Sequence, residues 1–145
     1  MDTENKEHDD EVETGHPVDL TTIQQAETIL AISFLNSYKI FLQHFGWLGM
    51  GGGAGICGMF PDQVNTPGDV VCFTKYLRDD INLPHHFIAL EFEEGDLVLC
   101  IDCSQFNQET QEAPIYFFDP DRKSTNKLNN SFKDYLIEYL AAGLS

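Results

Sequence analysis

The cysteines and histidines are the side chains of this 145-residue chain best suited to metal binding or nucleophilic chemistry. Cys100 and Cys103 form a C-x-x-C motif, a spacing typical of zinc sites and thiol redox pairs. The motif lies in an apolar run that predicts a β-strand, on which residues three apart point to opposite faces. The two sulfurs therefore cannot converge on one metal ion. We predict two reduced core cysteines and no metal site.

The histidines do not complete a recognisable catalytic site. His85 and His86 are adjacent and face opposite sides of a strand, whereas His44 falls near the end of a predicted helix. A nucleophilic pair of Cys72 or Cys100 with one of these histidines stays open, although no local signature supports it. We therefore expect a protein that is not an enzyme and needs no cofactor.

Two further stretches resemble ligand-binding loops but lack the required context. Residues 53 to 58 read G-x-G-x-x-G, which cradles a pyrophosphate only where it follows a strand and opens a helix. Here the motif follows a predicted helix and is succeeded by Pro61. Residues 119 to 123 begin like a calcium loop, but Ser124 stands where that loop needs glycine. Neither a nucleotide nor a calcium ion is predicted.

Charge is the remaining chemical feature. The chain has 24 acidic against eight basic residues, which gives a formal net charge of -16. Such a field repels phosphate backbones and anionic lipids, so we expect no direct nucleic acid and no membrane as partners. A basic protein would associate faster and in a fixed orientation through complementary potentials. An acidic surface that serves solubility alone is the competing interpretation.

The candidate partner-binding residues are one aromatic side chain and a set of acids near predicted turns and strand ends. Trp47 lies between two glycines, where a tryptophan is either an interface anchor or a core residue. The acidic candidates are Asp79, Asp80, Glu91, Glu93, Glu94, Asp96, Asp102, Asp119 and Asp121. We predict that these side chains form the docking surface.

Four helices must position these residues, according to the apolar periodicity and the capping signals. The first is predicted from Thr22 to Ile32, and Ser37 caps a second that ends at Gly46. Thr66-Pro67 opens a third helix that stops before Pro84. Ser131 caps a final helix that Gly143 terminates. Short strands are predicted at residues 56 to 60 and 114 to 119.

A β-hairpin is predicted at the centre of the chain, where two apolar runs flank Glu93-Glu94-Gly95-Asp96. With Glu94 and Gly95 at the tip, one face of the hairpin is wholly apolar and the other half polar. The predicted pairs are Phe92 with Leu97, Leu90 with Leu99 and Ile88 with Ile101, then Glu91 with Val98, Ala89 with Cys100 and Phe87 with Asp102. Helices around adjacent strands predict an α+β domain.

The ends of the chain suggest its organisation. Residues 1 to 19 hold eight acidic residues and little apolar surface, which predicts a disordered acidic tail. Residues 20 to 145 have the size of a single domain. No apolar run approaches the roughly 20 residues that a bilayer span needs, and no signal peptide opens the chain, so we expect a cytoplasmic protein. The oligomeric state is left open.

A series of short motifs follows a recognisable order between Thr22 and Leu140. They are Ser37 through Leu42 to Phe45-Gly46, the glycine-rich turn into Ile56-Cys57-Gly58, Leu83-Pro84 before Phe87 to Leu90, Gly95-Asp96, Cys100-Ile101-Asp102, Pro114-Ile115-Tyr116, and Ser131-Phe132 through Leu136. In this order they resemble the SUKH superfamily, which includes yeast cell-wall-assembly regulators of the Smi and Knr type and many bacterial immunity proteins.

The resemblance implies an α+β domain whose mixed or antiparallel central sheet is flanked by N- and C-terminal helices. Bacterial members are similar to antitoxins that neutralise cognate polymorphic toxin domains, often nucleases. We therefore expect an immunity protein of a toxin-antitoxin system, with a basic nuclease domain as its cognate toxin. A regulatory interaction scaffold of the cell-wall-regulator type, without a toxin partner, is the alternative.

Overall fold

A computed structural model describes residues 12–50, 55–93 and 97–144 and confirms the α+β class. Within these residues, the helices are α1 (Leu20–Leu30), α2 (Asn36–His44), α3 (Val70–Ile81) and α4 (Phe132–Leu144). The strands are β1 (Val12–Thr14), β2 (Leu48–Met50), β3 (Gly55–Ile56), β4 (Phe87–Glu93), β5 (Leu97–Asp102), β6 (Ile115–Asp119) and β7 (Ser124–Asn129), and Cys103–Gln105 form a 3-10 turn. In the described parts of the chain, no helix has the length and apolarity needed to cross a bilayer.

Two antiparallel sheets form the framework. The first has three strands in the order β1-β2-β3, and the second has four in the order β4-β5-β6-β7. The sheets meet where β3 runs beside β4. There the Cys57 backbone N–H donates to the Leu90 carbonyl at 3.0 Å. One hydrogen-bonded junction thus links the two sheets.

The four-stranded sheet carries a packed layer on each face. On one face, Ile88, Leu99 and Ile101 pack against apolar residues of α1, α2 and α4. On the other, Ala89, Val98 and Cys100 pack against Leu77 of α3 and Leu83 beyond it. This alternation along β4 and β5 explains why a short hairpin can hold helices on both sides.

The observed hairpin register departs from the predicted one halfway along β4. Phe87, Ile88 and Ala89 pair as predicted, with Asp102, Ile101 and Cys100. Beyond them the pairs are Glu91 with Leu99, Phe92 with Val98 and Glu93 with Leu97, so the predicted partners of Leu90, Glu91 and Phe92 are wrong. The shift is a β-bulge at Leu90, whose carbonyl accepts from the Cys57 N–H. A bulge leaves one residue out of the ladder and re-aims those that follow it.

Two helices begin at aspartates that the sequence analysis did not choose as caps. The Asp19 carboxylate accepts from the Thr22 N–H at 2.8 Å and caps α1. The Asp69 carboxylate accepts from the Cys72 N–H at 2.8 Å, so α3 starts after Asp69 and not at Pro67. A carboxylate at the N-cap satisfies free backbone donors and favours the positive end of the helix dipole.

Of the N-caps predicted for the other two helices, one is wrong and one is confirmed. Ser37 lies inside α2, and its hydroxyl donates to Glu112 at 2.9 Å. Ser131 caps α4 as predicted, because its Oγ accepts from the Asp134 N–H at 3.0 Å. Gly143 does not terminate α4, which continues through Leu144.

The predicted tail is wrong between residues 12 and 19. Val12–Thr14 form β1, which pairs with β2, and Val18 is buried while its N–H donates to the Leu42 carbonyl at 3.0 Å. This stretch is held by backbone bonds to distant segments, which its local composition does not reveal. Residues 1 to 11 lie outside the described residues, so the tail there stays a prediction.

Candidate functional site

A groove of about 910 Å³ opens between β3, α3 and β4. Four aromatic side chains line it, namely Trp47, Phe60, Phe73 and Tyr76. Most of the remaining wall is aliphatic or thiol, contributed by Leu48, Ile56, Cys57, Cys72 and Leu90, and among the described residues Glu91 is its one carboxylate. This Trp47 groove brings together two of the predicted partner-binding residues, Trp47 and Glu91.

Trp47 is fixed by the N-terminal stretch that was expected to be disordered. A Cβ atom added to Gly15 would lie 2.3 Å from the indole Nε1, so the indole rests directly on the glycine backbone. The Gly15 N–H also donates to the Trp47 carbonyl at 3.1 Å. Trp47 is half-buried and lines the groove. Trp47 is therefore partly a core residue and partly available as an interface anchor.

A close backbone crossing builds the floor of the Trp47 groove. A Cβ atom at Gly58 would lie 1.7 Å from the carbonyl oxygen of Gly46, a distance that no side chain can occupy. Two hydrogen bonds lock the crossing: Met59 N–H donates to Gly46 at 2.9 Å, and Val70 N–H donates to Gly58 at 2.7 Å. The start of α3 is thereby tied to the segment after β3.

One face of α3 forms a wall of the groove and continues as an acidic rim. Cys72, Phe73 and Tyr76 line the groove, and Tyr76 is 57% exposed. Asp79 and Asp80 follow Tyr76 by three and four residues, and both are exposed. Residues at these spacings share a helix face, so the aromatic wall leads into two carboxylates.

Glu91 brings a half-buried carboxylate into the opposite wall. The Gly55 N–H donates to both of its oxygens, at 3.2 and 3.3 Å. The bulge at Leu90 places Glu91 opposite Leu99 instead of Val98. These contacts hold the Glu91 carboxylate in the wall of the groove.

The four cysteines are free thiols; Cys100 is buried, and Cys57, Cys72 and Cys103 are half-buried. Burial, with Asp69 nearby as a smaller cause, raises the pKa of Cys57 to about 12. Burial also raises the pKa of Cys103 to about 12 and that of Cys100 further. Protonated thiols are poor nucleophiles and poor metal ligands. The described residues contain no group of three or more histidine, cysteine or acidic side chains arranged to hold a metal ion.

Several predicted acids lie at the hairpin-tip end of the four-stranded sheet. Asp119 ends β6 next to Phe118, which pairs with Val98, and Asp121 follows in the exposed β6–β7 turn. The Asp119 carboxylate accepts from the Asp121 N–H at 3.0 Å and shapes that turn. Glu93 ends β4 at the same end of the sheet. Glu94 and Asp96 lie outside the described residues.

Asp102 lies at the other end of the sheet and is buried. Its carboxylate accepts from the Ser104 N–H at 3.0 Å, the Ser104 hydroxyl at 2.6 Å and the Gln105 amide at 2.7 Å. His86 Nε2 lies 3.8 Å from the same carboxylate. Asp102 therefore shapes the 3-10 turn, which distinguishes it from the exposed acids.

A second groove, of about 830 Å³, has a different character and was missed from the sequence. Its apolar floor includes Ile40 and Phe45, and its charged lining combines the basic residues Lys127 and Lys133 with the acidic residues Glu112 and Asp134. We call it the Lys127 groove. Half of the eight basic residues fall between positions 122 and 133, a clustering that the sequence does display.

Comparison with known proteins assigns the family. A family described as SUKH_5, SMI1-KNR4 cell-wall, matches residues 2–141, which include every element that lines the Trp47 groove. A search of curated proteins found no match. The resemblance to the SUKH superfamily is thus confirmed at the level of the family. The chain belongs to the SUKH_5 (SMI1-KNR4) family.

Proposed function

We propose that this protein is a cytoplasmic immunity protein that binds and neutralises a toxin domain, a basic nuclease, through the Trp47 groove and its acidic rim. Membership in the family supports the proposal, since SUKH domains are commonly immunity proteins. Proteins of the family are generally not catalytic. Inhibition would therefore come from occupation of the toxin's surface.

The observation that carries the proposal is an exposed aromatic wall next to carboxylates. Tyr76 keeps 57% of its surface exposed, and Trp47 is half-buried on the same groove. Aromatic residues in partly desolvated pockets dominate the binding energy of many protein interfaces, and charged residues surround them at the rim. The Trp47 groove has this composition.

The charge of the groove favours a basic partner. Asp79 and Asp80 are exposed at its rim, and Glu91 lies in its wall. A nuclease must present positive charge to the phosphates of its substrate. A surface with opposite potential competes for that region and accelerates the encounter. The overall net charge of -16 acts in the same direction.

The test starts with affinity capture from the source cells, using the wild-type chain and the Tyr76→Ala variant as baits. A partner protein that the wild-type bait retains and the Tyr76→Ala bait does not is identified. Its candidate toxin domain is then expressed in a bacterial host. We expect growth arrest, rescue by the wild-type chain, and weaker rescue by Tyr76→Ala. The Lys127→Gln/Lys133→Gln variant should rescue like the wild type. A captured domain that arrests growth but is not neutralised would contradict the proposal.

The cell-wall description of the matched family keeps one alternative, a regulatory scaffold. In that case the same capture should give several partners of modest affinity, none of which arrests growth. Purified wild-type chain would then leave every captured protein's activity unchanged.

A further inference from the structure

The lining of the Trp47 groove has the composition of a site for a cationic side chain. Trp47, Phe60, Phe73 and Tyr76 all line it. Aromatic ring faces attract cations, and tryptophan does so most strongly. The aliphatic part of the wall is suited to the methylene stem that carries such a cation. A wholly apolar ligand would leave the acidic group of the groove unused.

Glu91 supplies that acidic group at the junction of the two sheets. Its carboxylate is half-buried, lines the groove and is oriented by the Gly55 N–H at 3.2 and 3.3 Å. A carboxylate fixed in this way keeps its negative charge at a defined position in the groove, where it attracts a cation. The attraction between this carboxylate and a cation is increased by the apolar surroundings, where charges are screened less than in water.

Arginine fits this lining better than lysine does. A guanidinium group is planar and stacks on aromatic faces. It is also more weakly hydrated than an ammonium group, so its transfer out of water costs less free energy. It also donates in the paired geometry that a carboxylate accepts. The exposed Asp79 and Asp80 at the rim would attract the same charge from a distance.

We infer that the Trp47 groove binds an arginine side chain of the basic partner, with the guanidinium group at Glu91 and the stem along the aromatic wall. The inference rests on the proposed function only for the identity of the partner that presents the arginine. The recognition chemistry belongs to the groove itself and can be measured without that partner.

Trp47 is the only tryptophan of the chain, so tryptophan fluorescence reports directly on this groove. The full chain is titrated at constant ionic strength with the peptide acetyl-Gly-Arg-Gly-amide. The matched peptides carry citrulline, lysine or leucine in place of arginine. We expect a saturable change with the arginine peptide and at least about tenfold weaker binding of the citrulline peptide, which is uncharged and isosteric. The lysine peptide should bind about threefold more weakly than the arginine peptide.

Two variants separate charge from shape. Glu91→Gln removes the charge but keeps an oxygen that can accept from Gly55, and it should weaken binding of the arginine peptide at least about tenfold. Tyr76→Leu keeps an apolar side chain without the aromatic face and should weaken binding about threefold. Glu109→Gln removes the same charge from an exposed residue outside the groove and should leave binding unchanged. Circular dichroism verifies that each variant is folded.

Equal responses to the arginine and citrulline peptides would overturn the inference. So would tighter binding of the leucine peptide, or arginine binding that survives Glu91→Gln in a folded protein. If guanidinium ion at the same concentration competes as well as the peptide, the fluorescence change reports a non-specific cation effect. That result would also overturn the inference. A neutralised toxin together with a negative peptide result refutes this inference alone. Selective arginine binding without any toxin partner refutes the proposed function alone.

Discussion

The Trp47 groove and the Lys127 groove have similar volumes, about 910 and 830 Å³, but different electrostatics. Aromatic rings, Glu91 and an acidic rim define the first, whereas in the second the charges of Lys127 and Lys133 are offset by Glu112 and Asp134. The net charge of -16 is therefore not spread evenly over the molecule. A basic partner is therefore attracted to the Trp47 groove more than to the Lys127 groove, so the charge distribution favours one face of the molecule for docking.

The two grooves also differ in how they are built. The Lys127 groove lies among α2, the start of α4 and β7, whereas the Trp47 groove depends on short strands and close backbone crossings. Gly58 approaches the Gly46 carbonyl, and Gly15 carries the Trp47 indole. Small changes of volume should consequently damage the Trp47 groove more than the Lys127 groove.

The largest expected effect comes from Gly58→Ala, which places a methyl group where the Gly46 carbonyl lies. The backbone must separate, and we expect a loss of about 3 kcal/mol in the free energy of unfolding. Ser37→Ala in the Lys127 groove removes the hydrogen bond to Glu112 and should cost only about 1 kcal/mol. Urea unfolding followed by circular dichroism compares the two. Equal losses would contradict the difference in construction.

Tyr76→Ala should give the next largest effect, on partner binding instead of stability. Truncation of an aromatic anchor typically costs about 2 kcal/mol, so the dissociation constant should rise about thirtyfold. The matched variant is Ile40→Ala, which removes an apolar side chain with 45% exposure from the Lys127 groove. Calorimetric titration of the captured partner should show no change for Ile40→Ala. The reverse result would move the interface to the Lys127 groove.

High pH should destabilise the wall of the Trp47 groove through Cys57. Burial raises the pKa of this thiol from 9.0 to about 12, so the unfolded chain loses the proton first. The free energy of unfolding should therefore fall between pH 9 and 12, by about 1 kcal/mol per pH unit for this thiol. Urea unfolding of Cys57→Ala should show a shallower fall with pH than the wild type. Lys127→Gln should keep the wild-type slope at pH 9 to 10; an identical slope for Cys57→Ala would contradict this assignment.

The smallest effect is expected from the rim. Asp79→Asn/Asp80→Asn should lower the association rate constant several-fold, which corresponds to less than about 1 kcal/mol in the activation free energy of association. The rate constant should also depend less on the salt concentration. Lys127→Gln/Lys133→Gln should leave the rate unchanged or raise it slightly. Stopped-flow measurements at two salt concentrations check both. An unchanged rate for the aspartate variant would exclude the rim from the encounter surface.

The sequence predicts the central elements well because their patterns are local. Apolar alternation locates β4 and β5, and periodicity locates the helices to within a few residues. The bulge at Leu90 was not predicted; it coincides with a hydrogen bond from Cys57, a residue distant in the chain that local patterns do not connect to the hairpin. The register shift changes the partner of Glu91, which lines the Trp47 groove.

Three strands, β1, β2 and β7, were missed, and the two edge strands among them, β1 and β7, were missed for a related reason. β7 has no apolar alternation, and its side chains are exposed except at Asn129. It forms because β6 supplies a ladder of backbone partners. β1 lies in the acidic stretch taken for a tail and pairs with β2. Edge strands of this kind are specified by their neighbours more than by their own residues.

The candidate site was predicted in part. Trp47 and Glu91 were selected from the sequence, and the structure places both on one groove. Tyr76 was not selected, although it precedes Asp79 by about one helical turn. An aromatic residue beside two acids on a predicted helix was therefore a signal in the sequence that could have identified Tyr76 as a candidate binding residue. The binding roles of these residues stay predictions.

The most direct test of the central claim is site-specific photocrosslinking in the source cells. A benzophenone amino acid is placed at position 76 of the Trp47 groove or at position 40 of the Lys127 groove. We expect one basic protein crosslinked from position 76 and none from position 40, and we expect the wild-type chain to inhibit that protein's toxic activity stoichiometrically. Crosslinks from position 40 alone, or a partner from position 76 that the chain does not inhibit, would contradict the claim.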